Sequence, residues 1–473
     1  MLFLVAERMK QYLVAALLLL SAAVPVAAQQ ETPAPLPLVP AQVASLREAA
    51  LHDDYAWNIA EGLTTEIGPR LDGTPAEARA RDWAVAKLKS LGFSNVHVEP
   101  FTITNWVRGP ESADIVSPFP QHLVIAALGN SASTGPAGIT GQVVGFDTLS
   151  ELQAAPDAAV RGKIVFVSHA MPRTQDGSGY GFFGGPRRQG PSVASAKGAL
   201  AIVIRSIGTD YHRNPHSGVQ TFAPGVKPIP AGALTIPDAE QLQRILKRGQ
   251  PVTMHLTLVS RSGPAPSGNV FAEVPGRDPS LPPVLVGGHL DSWDQGTGAI
   301  DDAAGLAIVT AAAKHIMDSG RPLRTIRVVW FGSEELGIFG GLQYRKSHGA
   351  QPHYAVAESD FGADRIWRVN SKLGKEREAE GRMLQAALAP LGIVPGALDA
   401  ADGSDIEPLI DAGIPAVGLS QDGTRYFDYH HTPDDTLDKI DPEQLRQNVA
   451  AWTAMLAVLA GPIEPGPKQP KGR

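Results

Sequence analysis

The sequence predicts an α/β fold: a mostly parallel central sheet with helices on both faces, plus an inserted β-rich domain. Three observations carry this. Near-continuous apolar runs such as PVLVGG (283–288) and TIRVVWF (325–331) alternate with helical periods such as AAGLAIVTAAAKHIMD (303–318). Strands buried on both faces belong to parallel sheets under helical cover. Between about 125 and 260 the texture changes to short β runs separated by Gly, Pro and Ser. A length of 473 residues also leaves room for two or three domains with substantial cores.

In chain order, Met9-Lys10 gives a basic start, residues 13–21 (LVAALLLLS) an apolar core, and Val26-Ala27-Ala28 a small-residue cleavage site. Residues 1–28 therefore read as an export signal with Met9 as the initiator. The apolar core is too short for a spanning helix, and a periplasmic or secreted mature chain, with no membrane contact after cleavage, is the expectation. Residues 29–40, Pro-rich and polar, read as a disordered leader. Residues 41–124 open the main domain, with helical periodicity to about 92 and a strand at 96–104 (VHVEPFTIT). Residues 125–260 form the insert, with GQVVGF, GKIVFVS, ALAIVIR and PVTMHLTL as strands and DAEQLQRILKRG as a helix. Residues 261–462 complete the main domain through NVFAEV, PVLVGGH, TIRVVWF, HYAVAES and PAVGLS, and 463–473 read as a disordered tail.

A formal net charge of -7, with 19% charged and 43% apolar residues, favours neither a nucleic-acid nor an anionic-membrane partner. The absence of cysteine excludes disulfides, cysteine nucleophiles and thiolate metal sites. Any metal must be held by His, Asp and Glu, which points to Zn, Mn, Co or Mg.

Open α/β sheets gather ligands at the carboxyl ends of their strands, so the residues just past each strand carry the most information. After PVLVGG stands His289, with Asp301 and Asp302 at the next helix start. After TIRVVWFGS come Glu334 and Glu335, HYAVAES leads to Asp360, and beyond PAVGLS the loop RYFDYHHTPDDT offers His430 and His431. Singly, each is ordinary: a carboxylate at a helix N-terminus is stabilised by the dipole, and a loop histidine needs no function. Jointly, acids and imidazoles behind four strands point to a metal site.

The segments HLD, GAIDDAAG, FGSEELGIFG, ESD and HHTPDDT resemble those of the co-catalytic zinc exopeptidases, the family of bacterial leucyl aminopeptidases and glutamate carboxypeptidases, over most of residues 40–460. The resemblance implies that His289, Asp301, Glu335, Asp360 and His431 are metal ligands and Glu334 the general base. It selects Asp301, four residues before Gly305, over Asp302, and His431, which begins the H-T-x-x-D-T string, over His430. It implies two Zn2+ per chain, with Co2+ or Mn2+ as substitutes, and a protease-associated-type insert.

The chemistry is coherent on its own terms. Two divalent cations are balanced by three carboxylates and one hydroxide, and a bridging Asp301 lets five side chains serve both. His289 and Asp360 would complete one metal, Glu335 and His431 the other, leaving room for a shared water. Metals about 3.5–4 Å apart lower the pKa of such water to about 7, and Glu334 can take its proton and pass it to the leaving amine. Asp291, two residues past His289, is expected to support that imidazole, with a plain turn aspartate as the alternative. Ser404 and Asp405 in ADGSDIEPL, and Arg425 and Tyr426 in DGTRYFDYHH, are candidate contacts for a substrate's terminal amine or carboxylate.

The expected activity is hydrolysis of an amide bond near a peptide terminus, by a dipeptidase or aminopeptidase acting on a peptide or dipeptide. A strict carboxypeptidase, or an amidohydrolase of acylated amino acids, is the alternative among enzymes. A non-catalytic binding protein on the same fold is the alternative of another class, although such a protein is expected to have lost ligands. By analogy with relatives, a homodimer is the expected assembly.

Overall fold

One mixed sheet of fourteen strands organises the chain in the computed structural model, which describes residues 36–401 and 403–464. The export signal, most of the leader and residues 465–473 of the tail lie outside the described residues. Among those described, no helix is long and apolar enough to cross a membrane. The strands are β1 (Ser94–Ser117), β2 (Gln121–Leu123), β3 (Ile125–Ala127), β4 (Ile139–Phe146), β5 (Ile164–Val167), β6 (Ala201–Arg205) and β7 (Ala231–Leu234). They continue as β8 (Thr253–Val274), β9 (Val284–His289), β10 (Ile326–Phe331), β11 (Ala355–Glu358), β12 (Ile366–Lys372), β13 (Val394–Pro395) and β14 (Ala416–Gln421). The spatial order is β13-β12-β14-β11-β9-β10-β8-β4-β5-β6-β7-β3, with β1 alongside β8.

The centre of this sheet is parallel. β10, β9, β11 and β14 run the same way, so their carboxyl ends share one edge. The flanks reverse: β12 is antiparallel to β14, and β8 to β10. The expected strand NVFAEV is the second half of β8, with Val270 opposite Trp330 and Val274 opposite Ile326. It is antiparallel because the chain reaches it along a two-stranded ribbon, whereas a parallel neighbour requires a crossover.

That ribbon is longer than the expected strand at 96–104. β1 and β8 stay paired from Ser94–Glu273 to Ser117–Thr253, with a register shift between Arg108 and Glu111. Past the shift, β8 pairs with β4 at Ile139–Leu256, and β4 to β7 continue as a parallel run edged by antiparallel β3. The boundary expected at 260/261 thus falls within β8. Trp106, Ile115, Leu123, Phe166, Val203, Leu242, Met254 and Leu256 pack there into an apolar cluster separate from the main core. β7 and β12 lie outside the expected strands, since AGAL and IWRVNSK lack a clear period-two pattern.

The helices of eight residues or more are α1 (Ala41–Ala50), α2 (Tyr55–Gly62), α3 (Pro75–Ser90), α4 (Ile236–Leu246), α5 (Ala304–Ser319), α6 (Phe339–His348), α7 (Glu378–Leu388) and α8 (Pro442–Leu459). Their starts follow local chemistry. Thr74 accepts from the Glu77 amide at 3.3 Å ahead of Pro75, and Asp441 accepts from Glu443 and Gln444 ahead of Pro442. α5 is apolar nearly all round, which demands burial; it is covered by α8, α2 and the sheet, and Ala304 to Ala313 are all buried.

Candidate metal centre

The parallel strands deliver their terminal residues to one place. His289 is the last residue of β9, and Glu334, Asp360 and the 430–431 pair lie in the loops after β10, β11 and β14. Asp301 sits just ahead of α5. Its Oδ1 is 2.9 Å from His289 Nε2, and its Oδ2 is 3.3 Å from His431 Nε2. His289 Nε2 is also 3.4 Å from Asp360 Oδ1, and His431 Nε2 is 3.1 Å from Glu335 Oε2. All five expected ligands therefore converge, with Asp301 in the middle.

The two pairs of neighbours that the resemblance separates also differ in what each member touches. Asp302 spends its carboxylate on backbone, accepting from the His289 amide at 3.1 Å and the Gly305 amide at 3.0 Å. His430 also comes within 3.3 Å of Asp301 Oδ2, but its Nδ1 faces His216 Nε2 at 3.1 Å and it stacks on His431 at 3.6 Å. Only His431 reaches both Asp301 and Glu335.

Asp291 supports the site differently from expectation. The partner of His289 Nδ1 is the Asp291 carbonyl at 3.0 Å, while the Asp291 carboxylate stands 3.7 Å away. That carboxylate instead accepts from the Glu334 amide at 3.1 Å and the Glu335 amide at 3.0 Å, fixing the turn that carries base and ligand. Burial opposes its ionisation, but the neighbouring Asp72 and the charge of His289 hold it below the usual carboxylate range.

The loop between His289 and Asp301 is pinned from both sides. Arg70, fully buried, donates to the carbonyls of Leu290 and Thr297 at 2.6 Å each and of Gly298 at 2.9 Å. Asp435 accepts from the Ala299 and Ile300 amides at 2.8 and 2.7 Å. Gly298 has φ +61, and a Cβ there would stand 2.3 Å from Ser292 Cβ. Sequence reasoning misses Arg70 and Asp435, because neither lies in a strand-end motif.

The candidate substrate residues divide. Ser404 donates to Asp360 Oδ2 at 3.2 Å, and Tyr426 stacks on Phe361 at 4.4 Å; both line a cavity of about 330 Å3 together with Glu334, Glu335, Asp301, Asp360 and His431. Asp405 and Arg425 are not on that wall. Asp405 is wholly buried and accepts from the Gly341 amide at 2.9 Å. Arg425 forks the Asp364 carboxylate at 2.6 Å on both oxygens, a pairing that satisfies it away from the cavity. Residues between 125 and 260 add side chains that sequence did not single out: Tyr180 and Arg187 line the cavity, and His216 packs behind His430 and His431.

The electrostatics fit a cation. Asp301 Oδ2 and Glu335 Oε1 are buried and lack a hydrogen-bond donor, a costly condition unless a positive charge faces them. Donor atoms of His289, Asp301 and Glu335 lie within 4.8 Å of one another, as do those of His289, Asp302 and Asp360. Burial and the Asp301 charge push Glu335 up to about 7. Burial, with the charges of Asp360, Glu335 and Asp291, holds Glu334 well above the usual range.

The profile of peptidase family M28 matches residues 269–456. Carboxypeptidase Q of Bos taurus is 36% identical over 403 residues, covering 84% of each chain. A peptidase M28 precursor from Shewanella amazonensis SB2B has a solved structure that superposes with a TM-score of 0.85 at 46% identity, covering 90% of this chain and 99% of that one. A zinc aminopeptidase from Bacillus subtilis shares the fold at a TM-score of 0.62 and 21% identity, covering 85% and 94%.

Proposed function

Because the chain belongs to peptidase family M28, we propose that it is an exported, zinc-dependent exopeptidase, a dipeptidase or aminopeptidase cleaving the amide bond next to a peptide terminus. The observation that carries the proposal is the position of Asp301, with one oxygen on His289 and the other on His431. Export rests on the pattern of residues 9–28 alone.

In this reading His289, Asp360 and Asp301 would hold one zinc ion, and Glu335, His431 and Asp301 a second, with Co2+ or Mn2+ as substitutes. The Bacillus subtilis relative is a zinc aminopeptidase, which supports zinc as the metal. When bound, such a pair polarises a carbonyl and acidifies water at neutral pH. The rest is the work of the chain. Glu334, buried beside the cavity, takes a proton from the attacking water on a carboxylate oxygen and returns it to the amine nitrogen as the C–N bond breaks. Asp291 keeps the Glu334–Glu335 turn in register, and Ser404 orients Asp360. Tyr426, Phe361 and Phe427 present aromatic walls that limit bulk water.

A dipeptide panel digested by the full chain tests this. Hydrolysis is expected with added zinc, is lost on chelation and returns when zinc is restored. A zinc-loaded chain inert to every dipeptide and amino-terminal peptide would instead favour a binding protein on this fold.

A further inference from the structure

We propose that Arg187 is a specificity-determining residue: it binds the free α-carboxylate of the residue that leaves, so the enzyme prefers substrates with a one-residue leaving group, dipeptides above all. This rests on the hydrolysis proposed at the same site and names its substrate class.

Arg187 lies in the short helical turn Gly185–Arg188 and is only 3% exposed. Among the described residues its polar contacts both use Nη1, which donates to the Ser217 carbonyl at 3.2 Å and stands 3.3 Å from His431 Nδ1. Nε is buried without a partner. The Nε–Nη2 edge, which forks a carboxylate with two parallel hydrogen bonds, is therefore unspent. A guanidinium cannot shed its charge on burial, so an anion is the natural complement. It is the one Lys or Arg among the described residues lining the 330 Å3 cavity. The backbone makes room for it: Gly218 has φ +127, and a Cβ there would meet Arg187 Nη1 at 2.2 Å.

Position gives the rest. His431 turns Nε2 to Asp301 and Glu335 and Nδ1 to Arg187, so the guanidinium stands one imidazole behind the metal donors. Successive Cα atoms are about 3.8 Å apart, which brings the carboxylate of the first residue past the scissile bond within reach and leaves no length for a second. Beyond Asp360, Phe361 and Ser404, a second cavity of about 240 Å3 is lined by Asp176, Glu358 and Arg368. Glu358 Oε1 is buried there without a partner.

The test measures kcat and KM of the zinc-loaded full chain on a dipeptide and on its carboxamide, in wild type, Arg187→Gln and Arg187→Lys, with zinc content read alongside. Wild type is expected to favour the free acid by about tenfold or more, since a site built to pair a group rejects the analogue lacking it. Arg187→Gln should bring that ratio close to one through KM, with zinc retained, and Arg187→Lys should restore part of it. Should the Gln variant fail to fold, the Lys variant decides, because its ratio must fall below wild type. A ratio that survives the substitution, or a wild type indifferent to the carboxamide, overturns the role of Arg187 while leaving the peptidase intact. Failure of wild type to cleave either compound overturns the proposed function and this inference with it.

Discussion

Adjacent residues of the same kind do different work here, and what separates them is which atoms each can reach. Asp301 presents its two oxygens to imidazoles on either side, whereas Asp302 caps two backbone amides. Glu335 meets His431, and Glu334 faces the cavity. The strand-end rule finds this group of donors, and motif resemblance chooses among neighbours; neither shows that the Asp291 carboxylate serves the amides of 334 and 335. Arg425 and Asp405 are suitable by residue type, but Arg425 is paired with Asp364 and Asp405 accepts from the Gly341 amide, and neither lines the cavity. These assignments make separable predictions. Glu334→Gln should keep its zinc and lose turnover by about 10²–10⁴-fold, the usual contribution of a general base. His289→Ala should instead lose zinc together with activity. Paired kinetics and metal analysis distinguish the two, and an active Glu334→Gln enzyme would remove that residue from its role.

At the scale of elements, the apolar runs that form β9, β10 and α5 are legible because each carries a strong period and a clear flank. The antiparallel course of β8 is not, since direction depends on how the ribbon with β1 enters the sheet. The loop from Leu290 to Ile300 reads as turn-forming sequence, yet its shape is set by Arg70 and Asp435, about 220 residues upstream and 136 downstream of the contacts they make. Gly298 is the point where this shape is most sensitive. The left-handed backbone alone costs a side chain about 1–2 kcal/mol, and the contact with Ser292 adds to it. Gly298→Ala should weaken zinc affinity and activity together by displacing Asp301. Thr74→Ala, which removes the α3 cap, should cost about 1 kcal/mol of stability and leave zinc affinity unchanged. Zinc titration beside thermal melts of both variants checks the contrast.

Across the whole molecule, the loops between residues 180 and 217 and the loop after β14 meet at the site. The Ser217 amide donates to the His431 carbonyl at 3.0 Å, and the Thr209 amide to the Phe427 carbonyl at 3.0 Å. Arg187 and His216 reach the histidine pair from a segment that composition marks only as different in texture. No local pattern announces such residues: they sit in Gly- and Pro-rich loops, and only the folded ribbon of β1 and β8 brings them to the strand ends. What holds all of this together is the claim that five side chains from distant parts of the chain surround one pair of cations. Native mass spectrometry of the purified full chain, after zinc reconstitution and removal of excess metal, tests it most directly. A mass increment of two zinc ions per chain is predicted; an increment of one, or none, would contradict it.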